Sequence, residues 1–239
     1  MTDAPAPAVE TILRDDDLLL RWLPGRARRL VVVFTGIRAG FGGQPLDEFA
    51  GSASRAGENN VLFVTDRRAS WYAVPGLWRR IVALIADLRV RERIEEIVSL
   101  GNSMGGYGAL LLPRDVRVVR AIAFAPQVSL DARATGDERW PDVAARFGPP
   151  PATSVVDTIA ATRTQYYVLA GGACAEDVAH LALVPDTRRV HRWVLPDGRH
   201  NIAQALKEAG ILGQVIGAII RGRKRRVDTL CRRYAEGLA

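Results

Sequence analysis

The chain has 239 residues, 48% of them hydrophobic and 25% charged, with a formal net charge of +7. That length buries a substantial core within one domain, and the ordinary composition argues against collagen, coiled coil and wholesale disorder. Two cysteines, Cys174 and Cys231, indicate no disulfide framework and fit a reducing, cytoplasmic setting. No apolar run reaches the roughly 18 residues that a membrane-spanning helix needs. Residues 1–17 lack the regions of a signal peptide and read as a flexible leader.

In chain order, Leu18–Trp22 and Leu30–Phe34 are short apolar runs, separated by a Pro24-Gly25 turn, and are expected as a strand hairpin. The second ends at Thr35-Gly36 and opens into a glycine-rich loop, with a short helix expected from Leu46. Val61–Val64 is another strand, followed by the loop Asp66–Gly76 with its large side chains. Leu77–Ile94 has helical spacing, Ile97–Leu100 strand character, and Met104–Leu112 helical character up to Pro113. Val116–Phe124, Tyr166–Leu169 and Val190–Leu195 read as further strands, and Glu176–Val184 as a helix. Ile202–Ile220 is expected as one long helix, and residues 126–161 give no clear pattern. Strands alternating with helices, several apolar on both faces, predict a single α/β domain over 18–220 with a mostly parallel central sheet and helices on both faces.

The basic run Arg221–Arg226, with Arg232 and Arg233, reads as a solvated helical tail over 221–239 that can contact acidic surfaces. No recognisable nucleic-acid module accompanies it, so no specific nucleic-acid binding is expected.

In such sheets, sites form beyond the carboxyl ends of the strands. One turn there carries chemistry: Gly101-Asn102-Ser103-Met104-Gly105-Gly106, between a predicted strand and a predicted helix. A serine on so sharp a turn brings the chain two residues before and after it into close approach, which glycine at 101 and 105 permits. The turn lifts the Ser103 hydroxyl above the sheet edge and places the Met104 amide at a helix N-terminus, where it can stabilise an oxyanion. A Walker-type phosphate loop fails, because no Lys-Ser/Thr pair follows.

The stretch Leu100–Leu110 resembles the nucleophile elbow of the α/β-hydrolase superfamily, and the element order is similar from about residue 18 to 220. The resemblance implies a serine hydrolase, an esterase or deacylase, with a small or absent lid. It needs no metal or other cofactor. The base in that family lies on the loop after the last strand, which here points to His200; His191 alternates within a strand and His180 sits in a helical pattern. The acid follows the preceding strand, which points to Asp177, with Glu176 second and Asp131 third. The second oxyanion donor is a backbone N–H just after the early strand, at Ile37. The Ser-Trp-Tyr cluster at 70–72 and Phe124–Gln127 are similar to small hydrolases found with bacterial surface-polysaccharide and glycoprotein systems. On that likeness Trp71, Tyr72, Arg67 and Gln127 are expected around a small-molecule or saccharide ester, although Trp71 and Tyr72 suit packing under a loop equally well. Acyl transfer to an alcohol on the same triad, and a non-catalytic accessory role, are the alternatives from other classes.

Overall fold

The run Leu30–Phe34 contains no polar side chain, so it suits only a central strand covered on both faces. The computed structural model, which describes residues 8–37, 47–140, 143–196 and 200–238, places it there. The glycine-rich loop beyond Ile37 and the Asp197-Gly198 turn lie outside the described residues.

The eight strands are β1 (Glu10–Arg14), β2 (Leu18–Leu23), β3 (Arg29–Phe34), β4 (Asn60–Asp66), β5 (Glu96–Asn102), β6 (Arg120–Phe124), β7 (Gln165–Gly171) and β8 (Val190–Leu195). They form one sheet in the order β1-β2-β4-β3-β5-β6-β7-β8. Pairing from β4 through β3 to β8 is parallel, and β1 and β2 run antiparallel at one edge.

Two expectations change here. β2 and β3 are not a hairpin, because β4 lies between them. The Pro24-Gly25 turn instead passes over the start of β4: the Gly25 amide donates to Asn60 Oδ1 at 2.9 Å, and a Cβ on Gly25 would lie 2.2 Å from the Asn59 carbonyl carbon. Within the expected leader, residues 10–14 form the edge strand β1, which pairs with β2.

The helices are α1 (Ala50–Ser54), α2 (Leu77–Arg91), α3 (Met104–Leu111), α4 (Ala132–Thr135), α5 (Val143–Phe147), α6 (Val156–Ala161), α7 (Ala175–Ala182), α8 (Ile202–Glu208), α9 (Leu212–Ile220) and α10 (Lys224–Ala235). Strand alternation sorts the core into two layers. Leu30, Val32 and Phe34 face the layer that holds α2 and α3, while Val31 and Val33 face α8, α9 and α10. On β6 the α3 side is lined by Ala121 and Ala123, small enough to let that helix sit close to the sheet. The long helix expected over 202–220 is two helices, broken where Gly210 adopts a φ of +74°.

Candidate active site

Six loops leave the sheet on one edge, at the carboxyl ends of β3 to β8, and each delivers a candidate residue. Gly36 and Ile37 follow β3, Trp71 follows β4, Ser103 follows β5, Gln127 follows β6, Asp177 follows β7 and His200 follows β8. A parallel sheet makes this convergence a consequence of topology.

Ser103 sits between β5 and α3 with φ 55° and ψ −120°, a conformation that L-residues rarely adopt. Its neighbours fit closely around it. A Cβ on Gly101 would lie 2.1 Å from the Gly105 carbonyl oxygen, and one on Gly105 would lie 2.1 Å from that of Phe34. The sharp turn leaves Met104 as the first residue of α3, whose early amides have no partner within the helix.

Ser103 Oγ is 2.9 Å from His200 Nε2, and His200 Nδ1 is 2.8 Å from Asp177 Oδ1. With Nδ1–H donating to the carboxylate, Nε2 is free to accept the serine proton. Asp177 is buried in the first turn of α7. Gln127, also buried, donates from Nε2 to Ser103 Oγ at 3.2 Å. The serine oxygen is thus held between an acceptor and a donor.

Solved structures with the same architecture include a hormone-sensitive lipase from a metagenome library, with a TM-score of 0.64 and 15% identity over 94% of this chain and 86% of that one. The capsule O-acetyltransferase of Neisseria meningitidis serogroup A gives 0.56 and 14%, over 89% of this chain and 96% of that one. A chain of the Gap123 glycosylation-associated protein complex from Streptococcus agalactiae gives 0.60 and 16%, over 86% of this chain. This protein spans under half of that chain, 45% of its length. The fold is that of the α/β-hydrolases. No protein-family model matches the sequence, and no curated protein matches it.

Within this α/β-hydrolase frame the three acid candidates separate. Glu176 accepts from the Cys174 thiol at 3.2 Å, and Asp131 caps α4 and pairs with Arg133 at 2.8 Å. Only Asp177 meets His200. Cys174, Asp177 and His200 offer ligand atoms within 4.8 Å of one another. Burial pushes the Cys174 thiol up to about 11, and His200 Nδ1 already donates to Asp177.

The other histidines have separate places. His191 lies against the Tyr167 and Trp193 rings. His180 is buried: its Nδ1 accepts from the Val128 amide at 3.2 Å and its Nε2–H donates to Asp137 Oδ2 at 3.0 Å. Burial lowers its pKa, only partly offset by Asp137.

The expected pocket residues divide. Trp71 lines a groove beside the site, together with Ile37. Tyr72 does not. It is buried against Phe34, Trp78 and Tyr107, beneath α3. Arg67 is also displaced, since its guanidinium donates to the Asp15 carbonyl on the β1–β2 turn. Its neighbour Arg68 lines the groove instead. The cause lies in the loop backbone: Ala69, Trp71 and Tyr72 all have positive φ, so no strand or helix periodicity assigns their faces.

Two residues that organise the site gave no clear signal in the sequence. Asp66, at the end of β4, accepts from the amides of Arg68, Ser70 and Tyr72 and from Ser70 Oγ, at 2.8–3.1 Å, and so holds the aromatic loop. Arg139 donates from two nitrogens to Asp137 at 2.8 and 2.7 Å and stands 3.5 Å from Asp177 Oδ1. Burial pushes the Asp137 carboxyl up, but hydrogen bonds from Arg139 and His180 outweigh it and hold the group below the usual range. A strand-end aspartate offers a faint signal for the first; Arg139 lies in the unpatterned stretch 126–161 and had none.

Proposed function

We propose that this protein is a serine hydrolase that cleaves an ester through an acyl-enzyme on Ser103. The observation that carries this reading is the continuous chain Ser103 Oγ–His200 Nε2–Asp177 Oδ1, with contacts of 2.9 and 2.8 Å, on a strained strand-to-helix turn. Structural likeness to a lipase and to an O-acetyltransferase gives background support.

His200 takes the serine proton as Oγ attacks the ester carbonyl. The negative charge that develops on the carbonyl oxygen is met by the Met104 amide and by the Ile37 amide. Collapse of the tetrahedral species expels the alcohol, which takes the proton from His200. A water molecule, deprotonated by His200, then attacks the acyl-enzyme and releases the acid. Asp177 keeps Nδ1 protonated and stabilises the imidazolium formed at each step. Each step needs only this chain's own groups and water.

A second reading replaces that water with a sugar or other alcohol. It is favoured by the likeness to the capsule O-acetyltransferase, matched over 96% of that chain.

Labelling with a fluorophosphonate probe tests the shared first step. Wild type labels, Ser103→Ala does not, and His200→Ala labels at least about a thousandfold more slowly. Well-folded wild type that stays unlabelled would leave the accessory-protein role standing. Given an acyl ester, an acylated alcohol that appears only when the alcohol is added separates transfer from hydrolysis.

A further inference from the structure

A groove of about 360 Å3 has Trp71, Trp140 and Phe147 in its walls and Arg68, Arg139 and Arg146 in its lining. Ile37, the proposed oxyanion donor, lines it as well, and Arg139 reaches from it to Asp177, so the groove adjoins the reacting centre.

Its charge is one-sided. No acidic side chain lines it among the described residues. Arg139 is committed to Asp137, but the other two guanidiniums are not spent in this way. Arg68 stands 5.7 Å and Arg146 5.0 Å from the centroid of the same Phe147 ring. Arg68 has Asp17 at 3.5 Å and is half exposed, and Arg146 is exposed, with no carboxylate partner among the described residues. Two like charges near one ring favour an anion close to both.

The inner wall carries a second, independent sign. The Trp71 and Trp140 rings lie 5.0 Å apart, and both indole N–H groups are buried without an acceptor among the described residues. Trp71 as a whole is 2% exposed. Buried donors without partners are uncommon, and each carries a desolvation cost.

We propose that this groove is an anion subsite. It takes ester substrates whose acyl or alcohol part bears a carboxylate or phosphate, the anion joining Arg68 and Arg146 and the planar or apolar part lying against the indoles. The inference rests on the proposed ester chemistry for its orientation, but its binding half can be tested alone.

The binding test uses Ser103→Ala protein, which keeps the groove and does not turn over. Calorimetric titration with phenyl hydrogen glutarate and with 4-acetoxyphenyl phosphate should give binding at least about tenfold tighter than the neutral partners phenyl pentanoate and phenyl acetate. Raising the salt concentration should narrow that gap. Arg68→Gln/Arg146→Gln in the same background should bring the charged-to-neutral ratio close to one, with folding checked by thermal melting. Preference for the glutarate ester alone places the anion on the acyl side, and for the phosphate alone on the alcohol side. The active enzyme should show the same ratios in kcat/KM. Equal binding of charged and neutral esters, or a preference that survives the double substitution, overturns the subsite. Absence of fluorophosphonate labelling in wild type would instead remove the ester chemistry while leaving the binding result intact.

Discussion

Asp177 and Asp137 are two buried carboxylates that share one cation, Arg139. Their side chains are 0% and 3% exposed, so neither is well compensated by water. Arg139→Ala should therefore cost about 2–4 kcal/mol of stability, far more than a typical surface arginine. Adding Asp137→Asn should recover part of that loss, because it removes the stranded charge. Equilibrium unfolding of the two single variants and the double closes the cycle, and simple additivity would show that the pair does not act as a unit.

A second residue-scale test concerns Glu48, whose two carboxylate oxygens accept from the Gly36 amide at 3.3 Å each. Burial pushes its pKa up to about 7, against the pull of that amide. The folded state thus holds a proton that the unfolded chain has already lost, over the window from about 4.5 to about 7. Stability contributed by the neutral acid is complete below that window and is lost as pH rises through it. Glu48→Gln should be neutral or slightly destabilising at pH 4.5 and stabilising, on the order of 1–3 kcal/mol, at pH 8. Melting curves at both pH values check this, and an effect of equal size at each would refute it.

At the level of elements, the elbow depends on the absence of side chains. A Cβ on Gly105 would meet the Phe34 carbonyl oxygen at 2.1 Å, and the nearest atoms are all backbone of Phe34 and Thr35, which cannot swing aside as a side chain would. Gly105→Ala should cost about 3 kcal/mol or more, and labelling of Ser103 should fall in whatever protein still folds. Ala at Gly136, where φ is +69° but the space around the Cβ position is open, is the milder control. The same steric demand is why this element was legible: glycine spacing around Ser103 has one physical cause. His200 was legible because the chain has only three histidines, and one of them opens a helix after the last strand. Asp177 was ambiguous because acids are common in a first helical turn for reasons of helix polarity alone. The faces of the loop 66–76 were not legible, because consecutive left-handed residues cancel the alternation that tells inside from outside. The separation of β2 from β3 was not legible, because adjacency in sequence favours a hairpin, while burying β3 on both sides requires a partner from further along the chain.

At the level of the whole molecule, the sheet separates two tasks. One edge gathers the loops of the candidate site, and the two faces are sealed by helices. The basic C-terminal segment belongs to the second task more than its composition suggests. Along α10, Val227, Leu230 and Cys231 are buried at the face that α9 covers, and Lys224 Nζ lies 6.0 Å from the Trp193 ring centroid. Spacings of three and four put these apolar residues on one stripe and leave Arg225, Arg226, Arg232 and Arg233 outward. The expectation of a solvated tail therefore describes one side of the helix only. Leu230→Ala should lower stability by about 2–4 kcal/mol, as for a core leucine. Reversing charge outside, with Arg225→Glu and Arg232→Glu, should change it by less than about 1 kcal/mol while weakening any adsorption to acidic surfaces at low salt. Denaturant unfolding of the two variants decides between the roles. If Leu230→Ala unfolds at the wild-type midpoint, α10 is a detachable appendage; if it unfolds early, the last helix is part of the wall that keeps β7 and β8 in place, and with them the loops that carry Asp177 and His200.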